Sequence, residues 1–176
     1  MFTARKAAQM AAFFAKRNGG NINILKLIKL LYLADRESIS TYGMPISFDN
    51  AVSMPHGPVL SRILNLSNGA FAESDQAQWD EWISDKANHF VSLNREFELD
   101  DLDQLSEADT DVLELIWHQF GGMDKWQLRD FTHELAEWQD PNGSMNPISD
   151  ADLVAAVIGE GEEANALAEE IRQARS

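Results

Sequence analysis

The sequence predicts a mainly α-helical protein with a small antiparallel β element, an α+β fold in a compact single domain around a central buried helix at residues 23–42. Its 176 residues suit one domain that buries most of its chain. Hydrophobic residues make up 44% of the chain, which is enough to offset the entropy of ordering it. Apolar side chains recur mostly at the helical spacing, and alternate with period two only near residues 88–100.

The first two predicted helices are defined by their ends. The first covers residues 3–17 and stops at Gly19-Gly20. Asn21 or Asn23 then offers a side-chain acceptor to the free N–H groups of the central helix, which ends where Gly43 suits a left-handed cap. The polar residues of the central helix fall within about a third of its circumference, so we expect the remainder to be buried. These polar residues are Lys26, Lys29, Arg36, Glu37 and Ser40.

Residues 44–56 are predicted to be irregular, with one strand-like piece at residues 45–48. Gly57-Pro58 is predicted to open a third helix, because proline at the first helical position loses no useful N–H group. This helix ends at Asn68-Gly69. The N–H groups at its start are expected to accept a hydrogen bond from a carboxylate such as Asp49 or Asp35.

The second half of the chain alternates helices with breaks. Asp75 with Gln78 is predicted to cap a short helix, and residues 88–100 are predicted to form a β-hairpin. Three further helices are predicted from their caps and glycine stops, at residues 107–120, 124–138 and 149–158. A last amphipathic helix covers residues 162–174. We expect residues 1–160 to form the main domain and residues 161–176 to be a loosely attached, mobile helix.

Charge is distributed unevenly along the chain, whose net charge is −15. Residues 1–44 carry seven basic and two acidic side chains, a balance of +5, which leaves −20 for residues 45–176. An acidic field disfavours phosphate backbones and favours a basic protein partner, although it also serves plain solubility. The basic residues of the first segment are expected to neutralise acidic groups within the fold, so nucleic acid is not the expected partner. Residues 124–138 follow a glycine turn like a recognition helix, but their balance of −2 argues against that role.

Several classes of protein are disfavoured by what the sequence lacks. The chain has no cysteine, which excludes disulfides and thiolate metal sites and favours a cytoplasmic protein. No stretch is apolar for the length of a membrane span. No nucleophile motif, phosphate loop, dinucleotide fingerprint or metal-ligand spacing is found. The sequence therefore predicts no catalytic residue, no metal and no cofactor.

Two histidines remain as candidates for a functional role. His133 lies roughly opposite the apolar stripe of its helix, which favours a surface or partner-facing position over metal binding. His56 precedes the Gly57-Pro58 turn, and we expect it to fix that turn through a hydrogen bond. Two alternatives stay open: an enzyme with a cleft near Asp35, Asp49 and His56, and a nucleic-acid-binding regulator.

Four segments together resemble a known family. They are residues 26–36 (KLIKLLYLADR), residues 42–49 (YGMPISFD), residues 54–59 (MPHGPV) and, more weakly, residues 132–138 (THELAEW). The chain resembles the SocA-like antitoxins built on the Panacea domain, a phage-associated family, over about residues 5–160. This resemblance implies a mostly helical, non-enzymatic protein that neutralises a cognate toxin by direct binding, and the SocA-type member delivers its toxin to a Clp-family protease.

The resemblance also supplies candidate residues for the family motif and for partner binding. They are Lys29, Tyr32, Asp35, Tyr42, Asp49, His56, Gly57, Pro58, His133 and Trp138. The acidic charge suggests that the toxin is basic. The basic stripe of the central helix is expected to face internal carboxylates such as that of Asp49, and Gly57-Pro58 is expected to be a fixed corner of the scaffold.

Overall fold

The structure is a computed structural model that describes residues 1–175. Within this range the chain forms eight α-helices, one 3₁₀ helix at Leu99–Asp101 and five short strands. The α-helices are α1 (Ala4–Arg17), α2 (Ile24–Tyr42), α3 (Ser61–Ser67), α4 (Glu73–Asp80), α5 (Glu107–Phe120), α6 (Lys125–His133), α7 (Asp150–Ile158) and α8 (Glu162–Arg175). The strands are β1 (Asn21–Asn23), β2 (Ala51–Met54), β3 (Gly57–Leu60), β4 (Phe90–Ser92) and β5 (Asn146–Pro147). The predicted α+β fold class is confirmed.

Helix α2 is the central element, as predicted. It begins where the side chain of Asn23 accepts hydrogen bonds from the N–H groups of Leu25 and Lys26, and it ends at Gly43, whose φ of 77° is left-handed. Helices α1, α5, α6 and α7 and strand β3 all pack against it. The main hydrophobic core is therefore arranged around α2.

Strands form two small antiparallel sheets. β1 pairs with β4, so that Ile22 lies opposite Val91. The β-hairpin predicted at residues 88–100 is therefore wrong, because the partner of residues 90–92 is β1 and residues 99–101 form a 3₁₀ helix. A period-two pattern predicts a strand but not its partner, which is chosen by packing across the chain.

The second sheet has the strand order β3-β2-β5. The helix predicted to begin at Pro58 is wrong in its first residues, since residues 57–60 form β3 and the helix starts at Ser61. The strand-like piece predicted at residues 45–48 is also absent, and β2 lies later in the chain. Buried Val59 packs with Ile28 of α2 and Val52 of β2, so the pairing with β2 buries side chains that a helix would have placed differently.

Local capping signals mark the later helices well, but not every boundary. Ser106 with Asp109, and Asp124 with Gln127, form capping boxes at the starts of α5 and α6, as predicted. The helix predicted at residues 124–138 is too long, because α6 ends at His133 and the chain then turns toward β2. Helix α4 starts at Glu73, so the predicted cap pair of Asp75 and Gln78 is wrong.

Helices α7 and α8 form an antiparallel pair after β5 and pack against each other more extensively than any other two elements. Arg175 near the end of α8 forms an ion pair with Asp150 at the start of α7. Three residues of α8 are buried in the main core: Ala164, Ala168 and Ile171. The predicted helix is confirmed, whereas its separation from the domain at residues 1–160 stays a prediction.

All seven basic side chains of residues 1–44 have partners within the fold. Three residues of α1 form ion pairs with residues 103–114, and a fourth ion pair joins Arg36 to Glu137. The three lysines that remain donate to backbone carbonyls; they are Lys16, Lys26 and Lys29. The expected neutralisation of acidic groups is confirmed for the four residues in ion pairs, whereas the three lysines are held by neutral carbonyl groups. Among residues 1–175, no helix has the length and hydropathy needed to cross a membrane.

Candidate functional site

The candidate residues divide into a buried set and a surface set. The buried set is Lys29, Tyr32, Asp35, Asp49, Gly57 and Pro58. Tyr42 and His56 are exposed, and His133 and Trp138 are half-buried. Most of both sets meet where α2, the β2–β3 hairpin and the segment from α6 to residue 139 come together. We call this region the hairpin junction.

Lys29 of α2 is fully buried and donates a hydrogen bond from Nζ to the carbonyl oxygen of Pro58, 2.8 Å away. The carbonyl of Pro58 can accept this bond because of its position in strand β3. Pro58 has no N–H group, so in β3 it occupies a position whose backbone polar groups point away from β2, and its carbonyl is therefore free to accept from a side chain. The prediction that the basic stripe faces internal carboxylates is confirmed for Arg36, which binds the buried carboxylate of Glu137. Asp49 is not a partner of the stripe, since Lys29 binds the carbonyl of Pro58 and Lys26 binds that of Gly121.

Burial lowers the pKa of Lys29 to about 7 from its ordinary value of 10.5, because charge is poorly solvated in the core. One neutral carbonyl does not replace the hydration that the ammonium group loses. Lys29 was expected on the exposed polar stripe of α2. Its burial was not visible in the sequence, because it depends on β3 covering this face of the helix.

The backbone conformation and the close packing at residue 57 both require a glycine. Its φ of 99° is left-handed, and a Cβ atom would lie 2.7 Å from Oγ1 of Thr132 and 2.9 Å from Nζ of Lys29. The hydroxyl of Thr132 in α6 and the amine of Lys29 therefore approach the hairpin more closely than a side chain at residue 57 allows. These close contacts fix the position of the hairpin between α2 and α6.

A clamp from residues 132–139 holds the two-residue turn of the hairpin. Nε2 of His133 donates to the carbonyl of Pro55 at 3.1 Å, and Nε1 of Trp138 donates to the carbonyl of Met54 at 3.0 Å. The His133 and Trp138 rings stack, with centroids 4.2 Å apart. The hydrogen bond that fixes the turn thus comes from His133, not from His56 as predicted.

A second attachment joins the same segment to α2. The buried carboxylate of Glu137 accepts from the hydroxyl of Tyr32 at 2.8 Å and from Nε of Arg36 at 2.7 Å. Burial, followed by the Glu137 charge, raises the pKa of Tyr32 well above its ordinary value, so the phenol keeps its proton and remains a donor. Arg36 also reaches the carbonyl of Ala156 in α7 at 3.4 Å. Glu137 thereby links α2 to the clamp and, through Arg36, to α7.

The two buried aspartates serve the loop that precedes β2. Asp35 accepts from the N–H group of Ser47 at 2.8 Å and from its hydroxyl, and burial raises the pKa of Asp35 to about 6. Asp49 accepts from the N–H groups of Arg62 and Ile63 at 3.1 and 2.9 Å. The prediction that a carboxylate caps the helix after Pro58 is therefore confirmed for Asp49, although that helix begins at Ser61.

The cleft proposed near Asp35, Asp49 and His56 is not formed. Both aspartates are buried, whereas His56 is exposed at the turn. Asp49 precedes β2 and His56 follows it, so a four-residue strand of roughly 13 Å separates them. Within residues 1–175, no three His, Asp or Glu side chains are placed to hold a metal ion.

The outer side of the hairpin junction carries aromatic and basic residues that the sequence reading missed. The ring of Trp126 is 45% exposed and lies 6.4 Å from the ring of His56. Nζ of Lys125 and the guanidinium of Arg129 lie 4.8 and 4.7 Å from the Trp126 ring centroid. Phe131, on a neighbouring face of α6, is 39% exposed and packs on Phe120. We call the outer group of His56, Lys125, Trp126, Arg129 and Phe131 the aromatic surface.

Tyr42 does not belong to the hairpin junction. It lies at the C-terminal end of α2 and is 52% exposed. The other candidates on α2 lie at residues 29–35, at least one and a half helical turns earlier. Tyr42 is therefore a separate exposed candidate beside the α7–α8 pair.

Comparison with protein families gives one result. The model of the family described as "Antitoxin SocA-like, Panacea domain" matches residues 27–139, which is more than half of the chain. This range contains all but the first three residues of α2, together with the β2–β3 hairpin, α6 and the clamp, whereas α1, α7 and α8 lie outside it. Neither a curated protein nor a solved structure matches at a significant level.

Proposed function

Because the chain belongs to the SocA-like antitoxin family built on the Panacea domain, we propose that it neutralises a cognate toxin protein by direct protein–protein binding. The observation that supports this role is the contrast across the hairpin junction. The polar groups on the inner side of the junction form hydrogen bonds within the protein, while its outer side presents aromatic and basic residues. A hydrogen-bonded backbone that presents an exposed Trp side chain suits recognition of a protein surface.

We assign toxin binding to the aromatic surface. Trp126 is the proposed anchor, because Trp and Arg are enriched among residues that dominate binding energy and its ring is already oriented by Lys125 and Arg129. His56, on the clamped turn, lies beside it. The fixed turn means that little conformational freedom is lost when the partner docks.

The net charge of −15 supports a basic toxin as the partner. A field of this sign attracts a basic protein at long range, and such attraction weakens with ionic strength. Raising the salt concentration from 50 to 300 mM is therefore expected to slow association with the toxin and to leave dissociation nearly unchanged. Stopped-flow mixing measures both rates.

The binding proposal is tested by coexpression of this protein with the product of the adjacent gene. We expect the two proteins to copurify and the toxicity of the neighbour to be suppressed. Trp126→Ala is expected to weaken binding at least tenfold by calorimetry, since truncating such an anchor costs about 2 kcal/mol or more.

Phe90→Ala is the matched control, because Phe90 is a similarly exposed aromatic residue on β4 and lies outside the aromatic surface. It should leave binding unchanged. If no neighbouring gene product is toxic and none copurifies, the antitoxin proposal is wrong. If binding survives Trp126→Ala and Phe90→Ala equally, the toxin docks elsewhere on the molecule.

A narrower form of the proposal is that the protein also delivers the toxin to a Clp-type protease. The resemblance to SocA is its only support. The lifetime of the toxin in cells distinguishes the two forms, because an adaptor shortens that lifetime and a plain inhibitor leaves it unchanged or lengthens it. An unchanged toxin half-life after deletion of this protein would rule out the adaptor.

A further inference from the structure

A groove lies between the end of α2 and helix α8, on a part of the molecule distinct from the aromatic surface. Its volume is about 370 Å³, which falls in the range of ligand-binding clefts. Gly43, Ile158 and Leu167 line its apolar part, and a Cβ atom added at Gly43 would lie 3.4 Å from Cδ1 of Leu167. Because Gly43 has no side chain, the end of α2 leaves this space open.

Two carboxylates border the groove on α8. Glu163, Ala166, Leu167 and Glu170 recur at the spacing of one helix face. Both glutamates are exposed, and neither forms an ion pair within 4 Å among residues 1–175. The arginines near the end of α8 are engaged elsewhere, Arg172 with Glu169 and Arg175 with Asp150. The groove therefore combines an apolar floor with an acidic border.

We infer that this groove is a second toxin-docking site that takes one helix of the partner. This inference rests on the proposed function, and it identifies a helix as the part of the basic toxin that the groove recognises. The occupant is a helix that places one leucine-sized side chain against Leu167 and Ile158, between two lysine or arginine residues. Charge complementarity selects this occupant, since the carboxylates of the border are available to basic groups.

The spacing of the glutamates sets the spacing of the basic residues. Glu163 and Glu170 are seven residues apart on a helix, a separation of roughly 10 Å along its axis. A partner helix lying along α8 matches both when its basic residues are also seven positions apart. The apolar side chain then falls midway, at the third or fourth position between them, where it faces Leu167.

Titrations with the product of the adjacent gene test this inference. The double variant Glu163→Gln and Glu170→Gln keeps the shape of both side chains, and we expect at least tenfold weaker binding and a smaller dependence on salt. Leu167→Ala should weaken binding by a similar factor. Glu96→Gln with Asp111→Asn removes the same charge from exposed positions away from the groove, and should change the affinity less than twofold.

A stapled 16-residue helical peptide, with one leucine between two lysines seven positions apart, provides a second test that needs no toxin. Fluorescence anisotropy should show saturable binding to the native protein and tenfold weaker binding to the double glutamine variant. A peptide with glutamines in place of the lysines should not bind. Unchanged toxin affinity in the double variant, or equal peptide binding by both proteins, overturns the groove assignment. Absence of toxin binding by the native protein overturns the proposed function instead, and the peptide then decides the groove alone.

Discussion

The inner and outer sides of the β2–β3 hairpin use similar residue types for opposite purposes. On the inner side, the lysine and histidine that suggest chemistry in the sequence donate to backbone carbonyls of the hairpin, and the amine of Lys29 is fully buried. On the outer side, Lys125 and Arg129 lie against an exposed tryptophan, and Arg129 also forms an ion pair with the exposed residue Asp130. The inner side chains are bound to backbone carbonyls, whereas the outer ones lie at the surface.

This contrast teaches that the family motif of the chain is mainly scaffold. The segments at residues 26–36 and 54–59 meet at one hydrogen bond and one glycine contact, and the segment at residues 132–138 closes over them. Substitutions on the inner side should therefore lower stability, whereas substitutions on the outer side should lower binding alone. Four predictions test this division.

The largest loss of stability is expected for Gly57→Ala. The new methyl group would enter a left-handed residue and press on Thr132 and Lys29, so we expect a loss of about 3 kcal/mol in the free energy of unfolding. Chemical denaturation measures this loss. Gly69→Ala is the control, because Gly69 is also left-handed but has no atom within 4 Å of the new Cβ, and it should cost only about 1 kcal/mol. Equal losses at the two glycines would show that the hairpin is not tightly seated.

The second prediction concerns the attachment of the clamp to α2. Glu137→Gln removes the charge that accepts from Tyr32 and Arg36 in a buried position, and we expect it to cost about 2 kcal/mol by thermal or chemical denaturation. Glu81→Gln breaks an ion pair with Arg95 whose two side chains are both about 40% exposed, and should cost less than about 0.5 kcal/mol. Comparable costs would mean that Glu137 is not an internal anchor.

The third prediction is a pH dependence. Lys29 has a pKa of about 7 in the fold and 10.5 when unfolded, so between these values the unfolded chain binds more protons and stability rises with pH. Relative to Lys29→Met, the native protein should gain about 1.5 kcal/mol of stability between pH 7 and 8.5. Parallel denaturation curves at several pH values measure the difference. A constant difference between the two proteins would show that Lys29 stays charged in the fold.

The smallest effect on stability is expected on the outer side. Trp126→Ala and His56→Ala should each change the free energy of unfolding by less than about 0.5 kcal/mol, because both side chains are exposed. Differential scanning calorimetry provides the measurement. A loss above 1 kcal/mol for either variant would move that residue from the binding surface to the scaffold.

Local chemistry made much of the fold predictable. The ends of α2 follow from Asn23 and Gly43, and the starts of α5 and α6 follow from capping boxes within four residues. The Asp49 cap was foreseen because a helix start attracts a carboxylate. The family motif also pointed to the segments that meet at the hairpin junction, although the role of each residue there was not visible.

The sequence-based predictions fail where contacts between residues distant in the sequence determine the secondary structure or the burial of a side chain. Gly57-Pro58 satisfies the signals of a helix start, yet pairing with β2 and burial against α2 make it a strand. Residues 90–92 pair with β1, and α6 ends early because Glu137 and Trp138 bind α2 and the hairpin. A helical projection predicts that Lys29 is exposed. In the structure it is buried, because β3 covers it.

The sequence by itself determined the helical fold class, the central helix with its caps, the family and the acidic charge, because these depend on composition, short motifs and hydrogen bonds between near neighbours. Only the tertiary structure decided which motif residues are buried, which strand each segment joins, and where aromatic and acidic groups remain available to a partner. Burial and strand pairing depend on segments that are distant in the sequence, and a local sequence pattern does not identify those segments.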